Sequence, residues 1–152
     1  MLTRQFSYIT RPALLDDAHS IRSLIRAVRI NPIGLDWRRF IVAVDREGYL
    51  VGCGQVKPHR DGSRELASIA VREDWRQQGV ARAIILLLLA QHPPPLYLTC
   101  RSRLGQFYAR FGFQVVLDEK RMPPYFRRIH RLAGRLSWSG LIPDDLLVMQ
   151  LE

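Results

Sequence analysis

One short turn between two apolar segments constrains the fold of this chain more than any other feature. The apolar run 66–71 precedes Arg76-Gln77-Gln78-Gly79-Val80-Ala81, and a longer apolar run, 83–90, follows it. This order predicts a strand, a tight turn and a helix. The first N–H groups of a helix lack partners within it and carry the positive end of its dipole, so the turn is suited to hold a diphosphate. Gly79 lets the main chain approach such a ligand closely.

Length and composition fit a single globular domain over residues 1–152. The chain has 152 residues, of which 47% are hydrophobic, and this is enough for one core of ordinary size. The longest apolar run, 83–90, is too short to span a bilayer. Residues 1–5 lack the apolar stretch of a secretion signal. We therefore expect a cytoplasmic protein without a membrane span.

The cysteines and histidines predict neither a disulfide nor a metal site. Cys53 and Cys100 lie far apart in the sequence, and the four histidines show no ligand spacing with them or with one another. The net charge is +9, and only two of the 23 basic residues are lysines. Such a charge suits a phosphorylated ligand, an anionic surface or nucleic acid. Because genome composition explains an arginine bias equally well, charge alone does not select a function.

Hydrophobic periodicity predicts strands and helices in alternation. Strands are expected at 6–11, 40–44, 49–56, 64–71, 96–100, 113–117 and 145–151, and helices at about 18–28, 82–90, 104–111 and 125–136. Asp16 and Asp17 are expected to cap the first helix. The order of elements predicts a mixed α/β sheet with helices on both faces.

A basic segment follows the sixth predicted strand. Its helix, 125–136, has apolar residues at 125, 129, 132 and 136, and arginines on the opposite face. Three interpretations stay open at this point. The helix is a solvated cap over the sheet edge, a wall of an acceptor pocket, or a surface for nucleic acid or another partner.

Two motifs resemble those of the GNAT superfamily, the acyl-CoA-dependent N-acyltransferases. The first is Arg76-x-x-Gly79-x-Ala81, and the second is Phe107-Tyr108 followed by Gly112-Phe113. The resemblance covers about residues 6–117. It implies a mostly antiparallel sheet with a splayed pair of parallel strands in its middle. The chain then carries a basic helical insertion at about 119–143, before the last strand.

The resemblance also implies acetyl-CoA as a co-substrate. In the family, the strand before the turn pairs with the pantetheine arm and the turn holds the pyrophosphate. The matching positions here are Ile69, Ala70 and Val71 on the strand, and Arg76, Gln77, Gln78, Gly79, Val80, Ala81 and Arg82 at the turn. Arg101 stands where the family often has an asparagine, and it is a candidate contact for a CoA phosphate or for the substrate. Trp75, beside the turn, is expected to pack rather than to cover the adenine.

Acetyl transfer to an amine requires removal of a proton from the amine, stabilisation of the thioester oxygen and protonation of the leaving thiolate. The resemblance makes Tyr108 the candidate acid, with simple aromatic packing beside Phe107 and Phe111 as the alternative. Glu65 is the candidate base, acting through a water molecule, with an exposed glutamate paired to Arg64 or another arginine as an equal alternative. His59 is a second candidate base. Cys100 is expected to be an inert buried thiol rather than a nucleophile.

The sequence thus predicts an N-acetyltransferase in which a primary amine attacks acetyl-CoA directly. Neither a covalent enzyme intermediate nor a metal is expected. The acceptor is a small-molecule or peptide amine, a homodimer is possible, and nucleic acid is a disfavoured partner. Two rival hypotheses are a catalytically weak acyl-CoA-binding sensor or scaffold of the same fold, and a nucleic-acid-binding protein that uses the helix at about 120–135.

Overall fold

The computed structural model describes residues 6–138 and 145–152, and its elements follow the predicted order. The strands are β1 Tyr8–Pro12, β2 Phe40–Asp45, β3 Leu50–Pro58, β4 Arg64–Val71, β5 Leu96–Arg101, β6 Gln114–Val115 and β7 Leu146–Leu151. The α-helices are α1 Ala18–Ala27, α2 Val80–Gln91, α3 Gly105–Ala109 and α4 Pro124–Trp138. The end of the predicted insertion, 139–143, lies outside the described residues.

Within the described ranges, the strands form a seven-stranded sheet in the order β1-β2-β3-β4-β5-β7-β6. The pairs β1–β2, β2–β3, β5–β7 and β6–β7 are antiparallel. β4 pairs with β5 in parallel, with Glu65 opposite Tyr97. The predicted fold class is therefore confirmed: a mixed α/β fold whose largely antiparallel sheet contains one parallel strand pair.

The chain divides into two compact units. The first consists of Met1–Lys57 and Leu66–His92, and the second consists of Pro58–Glu65 and Pro93–Glu152. β4 therefore begins in the second unit and ends in the first. The assignment of 1–152 to a single catalytic domain stays a prediction.

The core of the first unit lies between α1 and β2. The apolar spacing in α1 buries Ile21, Leu24 and Ile25, as predicted. They share a cluster with Phe40 and Val42 of β2 and with other residues of the unit. β2 is buried from Phe40 through Val44, and this explains why it reads as a continuous apolar run rather than an alternating one.

The helix α2 packs on β3 so closely that glycine is required beneath it. A Cβ atom on Gly52 would lie 2.6 Å from Cγ1 of Val80, and one on Gly54 would lie 2.9 Å from Cγ2 of Ile84. Val80 is the first residue of α2. The close approach at Gly52 therefore fixes the position of the turn that precedes the helix.

The predicted capping of α1 by aspartate is wrong for Asp17. This residue lies at the N-cap position of α1, yet its side chain makes no capping hydrogen bond to the helix. Its carboxylate instead accepts hydrogen bonds from Arg11 at 2.6 and 3.1 Å and from the N–H of Leu14 at 2.7 Å. The Arg11 guanidinium outweighs the effect of burial and lowers the pKa of Asp17. An ion pair to β1 has replaced the expected cap.

The core of the second unit holds Val116, Met122, Phe126 and Val148, with Tyr97 and Tyr125 packed against it. The predicted buried face of α4 is only partly correct. Phe126 is fully buried, whereas Leu132, which we expected to face the core, is 58% exposed. Positions 125, 129 and 136 of the predicted face are half-buried, so Leu132 departs from that face and Phe126 is added to it.

Candidate functional site

The turn before α2 is exposed and offers a row of open N–H groups. Gly79 has φ +77° and Gln77 has φ +62°, and residues 76–79 are exposed while Val80 is buried. Arg76 donates its N–H to Glu73 at 3.3 Å, and Ala83 donates to Gly79 at 3.0 Å. Between them, the N–H groups of 77–82 have no acceptor within the part of the chain that the structure describes. The turn is thus neither internally paired nor covered by described residues.

Aromatic side chains support this turn from one side. Trp75 is buried and packs edge-on against Phe6 and Tyr8, with centroid distances of 5.1 and 6.3 Å. The Oη atom of Tyr8 lies 3.8 Å from the point where a Cβ on Gly79 would stand. Trp75 therefore packs, as we expected. The side chains of Arg76 and Arg82 are exposed at either end of the turn.

The candidate pantetheine strand contains an irregularity. Ala70 is buried, and Ile69 and Val71 are half-buried, while Ser68 adopts φ +60°. A non-glycine residue in this left-handed region is uncommon and is often found beside functional sites. Ser68 accepts a hydrogen bond from Gln55 at 2.9 Å.

Sequence reasoning missed Gln55, which is fully buried. Its Nε2 donates to the carbonyl of Gly34 at 3.1 Å as well as to Ser68. Its Oε1 has no hydrogen-bond partner among the described residues. The only sequence signal was a polar residue within an otherwise apolar strand, β3.

Glu65 and His59, predicted as alternative bases, form a pair in the second unit. His59 Nε2 lies 2.8 Å from Glu65 Oε1, and the two side chains are 12% and 8% exposed. Glu65 is therefore buried rather than exposed, and His59 is one of its partners. A nearly buried histidine–carboxylate pair is an arrangement that moves protons in many enzymes.

Tyr125 packs against this pair, and it was not predicted as a site residue. Its ring stacks on His59 at a centroid distance of 3.5 Å and an interplanar angle of 18°. Burial raises the pKa of the Tyr125 phenol, and the negative charge of Glu65 raises it further. The sequence signal was an aromatic residue at the start of the basic helix, which we interpreted only as part of its apolar face.

Tyr108 lies on α3 in the same unit as this pair. Its half-buried ring packs edge-on against Phe107 and Phe113 at 5.0 and 6.3 Å. Burial, with a smaller effect of Cys100, raises the pKa of Tyr108 to about 12. The phenol is therefore protonated at neutral pH, as an acid must be.

Cys100 is a protonated thiol rather than a nucleophile. Burial raises its pKa to about 11, and its Sγ lies 3.8 Å from Sδ of Met149. A thiolate is the reactive form of cysteine, and this environment suppresses it. Arg101, the next residue, ends β5 with an exposed side chain.

Neither a metal-binding cluster nor a membrane-spanning helix occurs in residues 6–138 and 145–152. Among these residues, no group of three or more His, Cys, Asp or Glu side chains is arranged to hold a metal ion. None of the described helices is both long enough and apolar enough to cross a membrane.

The family is decided by the sequence match. Residues 36–115 match the acetyltransferase (GNAT) domain. The chain belongs to the GNAT acetyltransferase family. The match includes the turn at 76–82, the candidate base Glu65 and the candidate acid Tyr108, whereas α4 and β7 lie beyond it. None of the curated proteins compared with the chain matches it.

Solved GNAT structures resemble this chain in fold. N-acetylglutamate synthase from Neisseria gonorrhoeae, complexed with coenzyme A and N-acetyl-glutamate, is 20% identical with a TM-score of 0.71, covering 98% of this chain and 36% of that one. Rv2747 from Mycobacterium tuberculosis, in complex with CoA, is 22% identical with a TM-score of 0.68, covering 94% and 98%. Escherichia coli ElaA is 16% identical with a TM-score of 0.64, covering 96% and 99%. The chain thus spans about a third of the length of the synthase, and at these identities the likeness concerns the fold alone.

Proposed function

We propose that this GNAT protein is an acetyl-CoA-dependent N-acetyltransferase that acetylates a primary amine by direct attack on the thioester. The observation that carries the proposal is the exposed turn before α2, whose N–H groups at 77–82 have no acceptor among the described residues. Such groups at a helix N-terminus favour a diphosphate, and the chain belongs to a family of acetyltransferases.

Each part of the cofactor has candidate partners in the chain. The N–H groups of 77–82 would hold the pyrophosphate, and the exposed guanidinium groups of Arg76 and Arg82 would pair with phosphate oxygens. The backbone of Ile69–Val71 would pair with the pantetheine arm. Arg101 stays a candidate contact for a phosphate or for the substrate. Acetyl-CoA supplies an activated acyl group when bound, and the residues at the turn suit its negative charge.

The acid and base of the reaction are assigned to the second unit. The Glu65–His59 pair would take a proton from the amine, and Tyr108 would protonate the departing thiolate. The raised pKa of Tyr108, about 12, keeps the phenol protonated at neutral pH, so that it would hold the proton that the departing thiolate takes. These assignments need neither a metal nor a covalent enzyme intermediate.

The acceptor is proposed to be a small amine. N-acetylglutamate synthase, which has this fold, was solved with N-acetyl-glutamate in one complex and with L-arginine in another, and this favours an amino acid or a similar molecule over a protein. A peptide amine is the alternative. The cytoplasmic location and the homodimer stay predictions.

The proposal is tested by replacing Gly79. Gly79→Asp places a negative charge among the N–H groups that would hold the pyrophosphate, and acetyl-CoA should bind about 10- to 100-fold more weakly by calorimetry. Gly48→Asp is the matched control, because Gly48 also has a positive φ, +86°, and has nothing within 4 Å of its Cβ position. Equal affinity in wild type and Gly79→Asp would contradict the assignment of the turn.

Turnover is tested separately by release of free thiol from acetyl-CoA with a panel of amines. Acetylation of at least one amine supports the enzyme. Binding of acetyl-CoA without turnover across amino acids, polyamines and peptide N-termini would instead favour the acyl-CoA sensor or scaffold.

A further inference from the structure

The loop between β3 and β4 holds a histidine and a carboxylate at a fixed separation. His59 follows β3, and Glu65 is the second residue of β4. The loop between them is closed by backbone hydrogen bonds from His59 to Ser63 at 2.9 Å and from Gly62 to His59 at 3.0 Å. The 2.8 Å contact between Nε2 and Oε1 is thus built into a hairpin rather than made by two long side chains from distant segments.

The carboxylate determines which imidazole nitrogen can accept a proton. An ionised carboxylate only accepts hydrogen bonds, so in the neutral ring Nε2 carries the hydrogen and Nδ1 carries the lone pair. Nδ1 has no hydrogen-bond partner among residues 6–138 and 145–152. If Nδ1 takes a proton, the charge of Glu65 stabilises the imidazolium that forms.

Aromatic rings hold the imidazole in place. Tyr125 stacks on one face of the ring at 3.5 Å, and Phe126 contacts the ring edge-on at 5.6 Å. With its Nε2 bonded and its face covered, the ring cannot leave this orientation without losing the hydrogen bond, and a partial turn also breaks the stacking. A fixed ring keeps Nδ1 pointing in one direction, as proton transfer within hydrogen-bond reach requires.

The first turn of α4 is itself fastened to this hairpin. The N–H of Tyr125 donates to Oδ2 of Asp61 at 2.9 Å, and Pro124, at the first helical position, needs no such partner. Burial acts to raise the pKa of Asp61, but hydrogen bonds from Ser63 and Tyr125 outweigh it and lower the pKa. Asp61 is therefore ionised at neutral pH, and its negative charge interacts favourably with the positive end of the α4 dipole.

We propose that His59 is the catalytic base of the acetyl transfer, with Nδ1 as the accepting atom, and that Glu65 and Tyr125 are positioning residues. This inference rests on the proposed function and names the group that takes the proton. The acceptor arrives as an ammonium ion. One of its N–H bonds breaks, the proton bonds to Nδ1, and the electron pair left on nitrogen attacks the thioester carbon.

The remaining protons balance as the tetrahedral adduct collapses. The C–S bond breaks, and its electron pair goes to sulfur, which takes the proton of Tyr108. The nitrogen gives up its second proton through solvent to the Tyr108 phenolate, and the His59 imidazolium releases its proton to solvent. The products are the amide, free CoA thiol and one proton.

Kinetics of the full chain over about pH 6 to 9 test the assignment, with the best amine of the panel. His59→Gln should lower kcat about 10²- to 10³-fold and abolish the acidic limb of the kcat profile. Glu65→Gln keeps a hydrogen-bond acceptor but removes the charge that would stabilise the imidazolium, so the plateau of kcat should fall only about three- to tenfold. The charged and titratable groups around the ring that bear on this profile are Glu65, Asp61 and Tyr125, with Arg128 acting on Tyr125.

A second histidine–carboxylate pair provides the matched control. His130 Nδ1 lies 2.9 Å from Glu119 Oε1, but these side chains are 35% and 37% exposed. His130→Gln removes an imidazole from a similar pair and should leave kcat and its acidic limb unchanged. Tyr125→Phe keeps the stacked ring and should retain activity, whereas Tyr125→Leu should lower kcat with little change in KM for acetyl-CoA.

A measurement on the wild-type protein that needs no turnover tests the inference even if a variant at the buried pair fails to fold. At a pH at which the wild-type His59 ring is neutral, its ¹⁵N chemical shifts should show a protonated Nε2 and an unprotonated Nδ1, and the reverse tautomer would overturn the inference. The inference would also be overturned if the wild type is active and the kcat profile of His59→Gln keeps its acidic limb while Glu65→Gln has a lowered kcat at every pH. Glu65 would then be the base. A wild type that neither binds acetyl-CoA nor acetylates any amine contradicts the proposed function itself, which separates the two failures.

Discussion

Tyr108 retains its proton more tightly than an ordinary phenol, because burial disfavours the phenolate. With a pKa of about 12 it is protonated at every pH at which the protein would work. A group with a raised folded-state pKa contributes stability below its unfolded pKa, and this contribution is lost as pH rises toward the folded value. Tyr108 should therefore make the folded chain less stable between about pH 10 and 12 than a phenylalanine would.

We predict that Tyr108→Phe lowers kcat about 10- to 10³-fold because the acid is lost while the ring packing is kept. Affinity for acetyl-CoA and stability near neutral pH should change little. Turnover, calorimetry and thermal unfolding measure the three effects. Tyr49→Phe removes a phenol that is 63% exposed and serves as the control. Wild-type turnover in Tyr108→Phe would remove the acid role.

The roles of single residues in the site were harder to predict from the sequence than the strands and helices that carry them. The carboxylate at Glu65 and the imidazole at His59 could be named from the sequence, but only as alternatives, because a sequence does not show that a hairpin brings Nε2 within 2.8 Å of Oε1. Tyr125 was missed because its role depends on contact between residues distant in the chain. Gln55 was missed because an unpartnered buried oxygen leaves no local pattern.

At the level of strands and helices, the important feature is the close packing of α2 on β3. Gly52 and Gly54 leave room for the side chains of Val80, Ile84 and Leu88. The first residue of α2, Val80, therefore packs directly against the backbone of β3. Any side chain added at these glycines displaces the helix and, with it, the turn that precedes it.

We predict that Gly54→Ala destabilises the fold by about 1–3 kcal/mol, since its Cβ would overpack the contact between β3 and α2. A Cβ there would lie 2.5 Å from Cδ1 of Ile69 and 2.9 Å from Cγ2 of Ile84. Denaturant unfolding measures the loss. Gly134→Ala in α4 is the control, because nothing lies within 4 Å of its Cβ position, and it should be neutral or stabilising by up to about 1 kcal/mol. A neutral Gly54→Ala would contradict the close packing.

Elements were predicted well where local pattern decides them. β4 has the predicted bounds, and α1 buries the predicted face, because amphipathic spacing and turn residues act over short distances. The burial of Phe126, the exposure of Leu132 and the Arg11–Asp17 ion pair were not predicted, because packing between elements overrides local pattern there. The family resemblance, rather than periodicity, supplied the expectation of a parallel strand pair.

Over the whole chain, the dominant feature is its positive charge of +9. CoA carries several phosphate charges, so long-range attraction should speed its association and strengthen its binding at low salt. The same charge is what a nucleic-acid-binding protein would use.

We predict that the Kd for acetyl-CoA rises several-fold between about 50 and 300 mM salt, as screening shortens the range of the attraction. Dephospho-CoA, which lacks one phosphate, should show a smaller salt dependence in the same calorimetric titration. Random-sequence duplex DNA should not displace acetyl-CoA near physiological salt. Displacement at low DNA concentration would favour the nucleic-acid hypothesis.

The bond from Tyr125 to Asp61 joins the start of α4 to the hairpin that carries His59. Substitutions toward the far end of that helix therefore leave the imidazole in its orientation. Chains that differ from this one only in those distal turns are therefore expected to keep the ring stacked and bonded as it is here.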